Sequence, residues 1–399
     1  MAEDWRDGGF GIYLHWPFCQ AKCPYCDFNS HVARDIDHRR WRNAYLSEID
    51  RYAALVPGRV VNSVFLGGGT PSLMAPDTVH DILERVRQVW PVANDLEVTL
   101  EANPGSVEAG RFAAFAQAGV SRISLGVQAL NDRDLARLGR VHSVAEALQA
   151  LDIAKKAVDR VSFDLIYARQ DQELSEWCGE LRQAVDLAVD HMSLYQLTIE
   201  SGTAFGDRYK AGKLRGLPAD DVAADMYDAT QDICAAAGMP AYEVSNHARP
   251  GAESRHNMIY WRYGDYVGIG PGAHGRLTVN GQKYATETWL QPDRWLREAE
   301  GGSADSIKTA LSNTDQAGEY LLMGLRVADG IDVSRFSRLL GRPVDETTLR
   351  HLVDIGMIEQ KGARIAATPG GRRVLNSVIS ALLPDVDAAS DAQHADQPV

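Results

Sequence analysis

The segment Phe10-Gly-Ile-Tyr13-Leu-His15-Trp-Pro-Phe-Cys19-Gln-Ala-Lys-Cys23-Pro-Tyr25-Cys26-Asp-Phe28 joins an apolar run to three cysteines spaced C-x3-C-x2-C. Residues 10–15 predict a strand, and the cysteines fall on the loop that follows it. Three thiolates on one short loop can face a common centre. They can hold three irons of a cubane [4Fe–4S] cluster and leave the fourth iron without a protein ligand. An open metal position is where a substrate or cofactor coordinates. Zinc is the rival occupant, but structural zinc wants four closed ligands, and no partner Cys or His pair follows nearby. The bland alternative is three loop cysteines without metal. Their crowding into eight residues argues against it.

The first strand opens a series. Short β-branched and apolar runs at 10–15, 60–66, 96–101, 121–127, 160–167 and 191–198 alternate with amphipathic stretches at 37–55, 75–89, 107–118, 143–156 and 173–189. That βα alternation predicts an α/β fold with a parallel sheet and helices outside it. Six units suit a barrel or partial barrel, with an open doubly wound sheet as the alternative. In either layout ligands gather at the carboxyl ends of the strands.

Beyond residue 217 the pattern changes. Residues 218–238 predict one helix, stopped by Gly238 and Pro240. Residues 240–300 are rich in Tyr, Trp and Gly and read as irregular or antiparallel. From Asn313 the chain is helical again, and helices at 332–340 and 345–355 followed by a hairpin-like stretch resemble a winged helix. The expected division is a barrel over 1–217, an extension over 218–312, a winged-helix-like module over 313–383 and a disordered acidic tail over 384–399.

The net charge of −13 argues against phosphate backbones and anionic membrane surfaces as main partners. Residues 340–383 carry six Lys/Arg against four Asp/Glu, a small excess for a nucleic-acid grip. No apolar run approaches the ~18 residues of a membrane span, and no basic, then apolar N-terminal pattern predicts a secretory signal. Five cysteines, three of them clustered, do not form a disulfide framework. A reducing cytoplasm fits them.

The C-x3-C-x2-C loop resembles the signature of the radical S-adenosylmethionine superfamily. Within it the chain resembles, from about residue 11 to 383, the branch of HemW-type heme chaperones and oxygen-independent coproporphyrinogen III dehydrogenases (HemN). The resemblance implies a (β/α)6 partial barrel and a [4Fe–4S] cluster on Cys19, Cys23 and Cys26. It implies that S-adenosylmethionine chelates the open iron and is cleaved to a 5′-deoxyadenosyl radical. Other positions match. Gly67-Gly68-Gly69-Thr70-Pro71 follows the second strand, where glycine lets backbone approach a ligand. Gly68, with Gly69 and Thr70, is expected at the methionine amino group. Glu101 ends the third strand, where a carboxylate accepts from ribose hydroxyls. Gln128 ends the fourth, Arg140 is placed to pair with a carboxylate, and Asp164 lies in the fifth. Tyr13 and Tyr25 complete the expected cofactor contacts.

Two features separate the relatives. The dehydrogenases read C-x3-C-x2-C-x-C, and here the last position is Phe28. The heme chaperones read CDF, as here. Residues Arg255-His256-Asn257-Met-Ile-Tyr260-Trp261 resemble the H-N-x-x-Y-W motif tied by the resemblance to heme. On a helix these positions share a face. Imidazole can ligate heme iron, Asn257 is placed to orient it, and Tyr260 and Trp261 can pack on the macrocycle. The bland reading is a core histidine. The run Gly268-Ile-Gly-Pro-Gly-Ala-His274-Gly reads as a tight turn near the cofactor, with His274 a second candidate for iron. One loop departs from the family: relatives read DLIYGLP-x-Q where this chain has Tyr167-Ala168-Arg169-Gln170, which puts contacts beyond Tyr167 in doubt.

The resemblance implies a carrier that binds heme and passes it to apo-proteins such as respiratory enzymes, and it is compatible with a homodimer and peripheral membrane contact. Whether the radical forms productively stays open. The alternatives are a radical enzyme acting on coproporphyrinogen III or another porphyrin, and a radical enzyme modifying RNA or protein.

Overall fold

The computed structural model describes residues 3–33 and 35–383; the tail expected to be disordered lies outside them. Eleven strands form one sheet. In chain order they are β1 Phe10–Trp16, β2 Val61–Gly68, β3 Val92–Ala102, β4 Arg122–Gln128, β5 Arg160–Tyr167, β6 His191–Gln196, β7 Asn246–Ala248, β8 Asp265–Ile269, β9 His274–Val279, β10 Gln282–Thr288 and β11 Asp305–Ala310. Their order across the sheet is β11-β10-β9-β8-β1-β2-β3-β4-β5-β6-β7. From β1 to β6 each strand lies parallel beside the next with no reversal. One-way winding is barrel-like and excludes the doubly wound alternative, whose strand order reverses at a switch point.

The crossover helices α1 His38–Leu55, α2 Pro76–Val89, α3 Phe112–Ala118 and α4 Val144–Ala157 pack each on the next. They bury the outward residues of the strands, Ile12, Leu14, Val64, Leu66 and Leu100 among them. The apolar residues on the outward face of each strand, which these helices cover, are what made the strands legible. The helix expected over 107–118 is interrupted at Gly110 and Arg111. Glycine is the weakest helix residue after proline.

The inner face of the sheet is polar: Tyr13, Ser63, Thr99, Glu101, Arg122, Ser124, Ser162 and His191 line successive strands at register-related positions. After β6 the chain adds antiparallel β7 at one edge, then crosses to add β8, parallel, at the far side of β1. Helix α5 Leu174–Leu187 connects β5 to β6 and α6 Asp220–Ala236 lies between β6 and β7, while the crossing from β7 to β8 carries α7 Arg255–Trp261, which packs against β1, β2 and β8. The sheet is therefore continuous across the expected division between 217 and 218. β8, inside the stretch that reads as irregular, is pinned by the fully buried Asp265. Its carboxylate takes Arg59 Nη1 at 2.6 Å, Lys283 Nζ at 3.1 Å and the Thr278 N–H at 2.5 Å.

Residues 313–382 hold helices Asn313–Gly324, Val333–Leu340, Glu346–Asp354 and Leu375–Leu382 around a hairpin of Ile358–Lys361 and Arg364–Ala367, joined by Ile331–Asp332. They have an apolar core of their own, including Leu321, Phe336, Leu349 and Ile379. Arg335 ties that unit to the N-terminus through Asp4 at 2.7 Å.

The atypical loop after β5 closes by a buried ion-pair network. Ala168 adopts φ +56°, a conformation that suits the glycine of its relatives. Arg169 turns inward, 3% exposed, and gives Nε to Asp134 at 3.1 Å, Nη2 to Glu180 at 2.5 Å and Nη1 to the Ile166 carbonyl at 2.7 Å. Breaking a buried pair from one side leaves its carboxylates uncompensated. Arg169→Ala should therefore cost about 3 kcal/mol, read as a lower urea midpoint at unchanged slope. A loss within about 0.5 kcal/mol would show that the loop does not depend on the pair.

Candidate functional site

The three cysteines, the glycine loop and the strand-end polar residues line one cavity of about 140 Å³ at the carboxyl ends of β1 to β5. Its construction starts at Gly69. The Gly69 N–H donates to the Trp16 carbonyl at 2.7 Å and the Thr70 N–H to the Phe18 carbonyl at 2.9 Å. A Cβ on Gly69 would lie 2.8 Å from the Phe18 oxygen, and one on Gly68, at φ +109°, 2.6 Å from the His15 ring. Glycine is thus required by the neighbouring chain itself, besides any ligand.

That contact lays the cysteine loop against β2. Thr70 Oγ1 donates to Cys19 Sγ at 3.4 Å, Arg140 Nη1 to Cys23 Sγ at 3.3 Å, and Ser30 Oγ lies 3.8 Å from Cys26 Sγ. Burial, with mutual repulsion among the sulfurs, raises the Cys19 thiol, and burial raises Cys26. Bound metal reverses that preference, because a coordinating thiol is deprotonated. Among the described residues no three Cys, His, Asp or Glu side chains are grouped tightly enough for one metal ion. Three sulfurs around one cavity, each beside a donor, suit a polynuclear centre better than a single zinc.

Arg140 does not pair with a carboxylate in this structure. Besides Cys23 it binds Asn103 Oδ1 at 2.5 Å and the Gly126 carbonyl at 2.9 Å, and its buried Nε has no partner. That orphan donor suits an acceptor group of a bound cofactor. Glu101 accepts from the Gly68 N–H at 3.1 Å. Burial and the nearby Asp164 push its carboxyl up to about 8, and burial pushes Asp164 up to about 6. Gln128, at the end of β4 where the register slips, holds φ +73°, rare for a non-glycine and common at ligand clamps. Tyr25 packs on Phe205, whose N–H donates to the Pro24 carbonyl at 2.8 Å, so the loop is held from both sides.

Three contributors escaped the sequence reading. Asn103 bridges Thr70 at 3.1 Å and Arg140, and Ser30 stands beside Cys26. His15 takes the Tyr13 hydroxyl on Nδ1 at 3.0 Å and gives Nε2 to the Asn29 carbonyl at 2.9 Å. A carbonyl only accepts, which fixes the Nε2–H tautomer. Asn103 follows Glu101 by two residues and was within reach of the strand-end argument. Ser30 is brought in by the loop's path alone, and His15 is an inward residue of β1 that the loop's Asn29 meets.

The H-N-x-x-Y-W residues are on a helix, as expected, but they do not share one site. His256 is 1% exposed, with Nδ1 2.8 Å from Ser63 Oγ and Nε2 2.6 Å from the Tyr260 hydroxyl. Burial, with Arg122 nearby, lowers it to about 3. In this structure both nitrogens of His256 have hydrogen-bond partners, because α7 is packed across the inner face. Asn257 does not orient the ring; Ser63 and Tyr260 do. Trp261 lines a separate cleft with Tyr320 and Arg335. Tyr260 faces a cavity of about 360 Å³ beside the cysteine loop, lined also by Tyr13, His15, Phe28, Tyr266 and His274.

Known proteins resemble this chain in sequence and in fold. Residues 13–177 match the Radical SAM superfamily, and residues 311–374 match the HemN C-terminal domain. Heme chaperone HemW of Escherichia coli (strain K12) is 37% identical over 378 residues, 94% of this chain and 98% of that one. Radical S-adenosyl methionine domain-containing protein 1, mitochondrial, of Bos taurus is 42% identical over 326 residues, 80% of this chain and 74% of the relative. Among solved structures, coproporphyrinogen III oxidase (HemN) from Escherichia coli has a TM-score of 0.79 at 20% identity, covering 96% of this chain and 93% of that one, a likeness of fold. Since the match to HemW runs along nearly the full length of both chains and the Radical SAM match spans the cysteine loop, the chain belongs to the HemW family of the radical S-adenosylmethionine superfamily.

Proposed function

We propose that this protein is a heme chaperone, binding heme and passing it to apo-proteins, and that it carries a [4Fe–4S] cluster with S-adenosylmethionine. The cluster and cofactor part of the reading is supported by the cavity shared by three donor-flanked cysteine sulfurs, the glycine loop, Glu101 and the unpartnered Arg140 Nε, and the heme part by membership of the HemW family. When bound, the cluster supplies an open iron for the methionine amino and carboxylate groups and an electron for the sulfonium. Cys19, Cys23 and Cys26 would hold it, and Thr70 and Arg140 donate to sulfurs, an arrangement that tunes reduction potential. Arg140 Nε is available to the methionine carboxylate, and Glu101 to ribose hydroxyls. A reducing compartment such as the cytoplasm keeps the thiols free. Among the described residues no helix is long and apolar enough to cross a membrane.

Phe28, where the dehydrogenases carry a further cysteine, favours this reading over porphyrinogen decarboxylation. The test is anaerobic. Reconstituted protein loaded with heme should transfer it to apomyoglobin, and coproporphyrinogen III offered with S-adenosylmethionine and a reductant should be left unchanged. No heme uptake, or any vinyl-bearing product, would defeat the proposal.

Replacing Cys19, Cys23 and Cys26 together by Ala should abolish iron and the visible absorbance of the cluster; retention of iron would mean that the ligands lie elsewhere. A second outcome concerns pH. Glu101 is protonated below about 8, and only its ionised form accepts on all its lone pairs and complements a sulfonium cation. S-adenosylmethionine affinity should therefore rise by roughly tenfold from pH 6.5 to 8.5 and level off above, with Glu101→Gln weaker and flatter over that range. Equal pH profiles for both proteins would remove Glu101 from the binding site.

A further inference from the structure

If heme is carried, its iron needs a ligand, and the motif histidine offers no free nitrogen. Near the cysteine loop His15 is likewise committed, to Tyr13 and Asn29, and His31 gives Nε2 to Asn29 Oδ1 at 3.0 Å. His274 differs. It opens β9 with a side chain 58% exposed, and its nearest charged neighbour, Glu287, is 3.9 Å from Nδ1. Among the described residues its imidazole makes no hydrogen bond shorter than that contact. It stands at the rim of the 360 Å³ cavity whose walls include Tyr13, Phe28, Tyr260 and Tyr266. Phe28 is 59% exposed, an unpartnered aromatic surface facing the same space. That volume and mostly aromatic lining are typical of small-molecule sites.

The position of His274 is built rather than incidental. The turn before it runs through Gly270 at φ +114° and Gly272 at φ +72°. Asn29, on the cysteine loop, donates its side-chain amide to the carbonyls of Pro271 at 2.9 Å and Leu290 at 2.8 Å. One residue thus ties the histidine's turn to the loop that carries the cysteines. The cavity also shares Phe28, Gly68 and Glu101 with the cavity of the cysteines.

We propose that His274 is the axial ligand of heme iron, with the macrocycle laid against Phe28, Tyr260 and Tyr266 beside the S-adenosylmethionine site. This rests on the heme-chaperone reading above. A single imidazole at an open rim can be exchanged for an acceptor's ligand, as delivery demands. In this arrangement the H-N-x-x-Y-W histidine is a positioning residue. Its 2.6 Å contact holds the Tyr260 ring as a wall of the cavity.

The experiment titrates anaerobically reconstituted full-length protein with heme and follows the Soret band. His274→Ala should bind heme about tenfold more weakly or worse with a shifted Soret band, and added imidazole should restore the wild-type spectrum. Cluster content, S-adenosylmethionine binding and thermal midpoint should stay as in wild type, since the side chain is exposed and unbonded. His256→Gln should keep the wild-type Soret position. An unchanged spectrum and affinity in His274→Ala, or weaker binding with no spectral shift and no rescue, would overturn the ligand while leaving the chaperone reading intact. Failure of the wild type itself to bind heme would overturn that reading instead.

Discussion

The contact on which the site depends is the 2.7 Å hydrogen bond from the Gly69 N–H to the Trp16 carbonyl. It joins the carboxyl ends of two parallel neighbours just where both chains leave the sheet. No side chain fits between them, since a Cβ on Gly69 would meet the Phe18 oxygen, the Pro17 carbonyl carbon and the Trp16 oxygen within 3.0 Å. From this contact follow the placement of Thr70 on Cys19 and, through Asn103, the link from Thr70 to Arg140 and Cys23. The cysteine loop is short and has little hydrogen bonding of its own. Its shape is borrowed from β2, from Phe205 and, through Asn29, from the turn before β9.

A second constraint is the polarity of the inner face. Closing a sheet over Glu101, Asp164, Arg122 and His256 would be costly were all of them charged. The structure avoids this by protonation and pairing. Burial holds Glu101 protonated up to about pH 8 and His256 neutral down to about pH 3. Glu101 is held neutral at the wall of the cysteine cavity, whereas His256 is held neutral between a serine and a tyrosine.

The same contrast explains why the histidine motif reads one way in sequence and another in space. Helical spacing correctly places His256 and Tyr260 together, and their hydrogen bond is the i, i+4 contact that spacing predicts. It does not say against what the shared face is packed. Because β8 joins the sheet beside β1, the connection from β7 must cross the inner face, and α7 is buried there against β2. The accessible imidazole, His274, sits in a glycine-rich turn whose composition suggested little beyond a bend.

Short apolar and β-branched runs alternating with amphipathic helices were enough to identify the strands as parallel, because the face that the helices cover must be apolar; the one-way winding, against a doubly wound sheet, was decided by the strand order. The cysteine spacing was legible too, and the resemblance supplied the glycine loop, Glu101 and Arg140, which the structure brings to one cavity with the cysteines. Tertiary structure alone decided what connects residues far apart in the chain. It made β8 a parallel neighbour of β1 through the buried Asp265, turned Arg169 into the substitute for a missing glycine–proline loop, and recruited Ser30 and Asn29 to the cysteines. It also buried one histidine and exposed another. Local pattern records which face of an element is apolar, but the partner that covers a face is chosen by chain crossings of many residues, and these leave no periodic trace in the sequence.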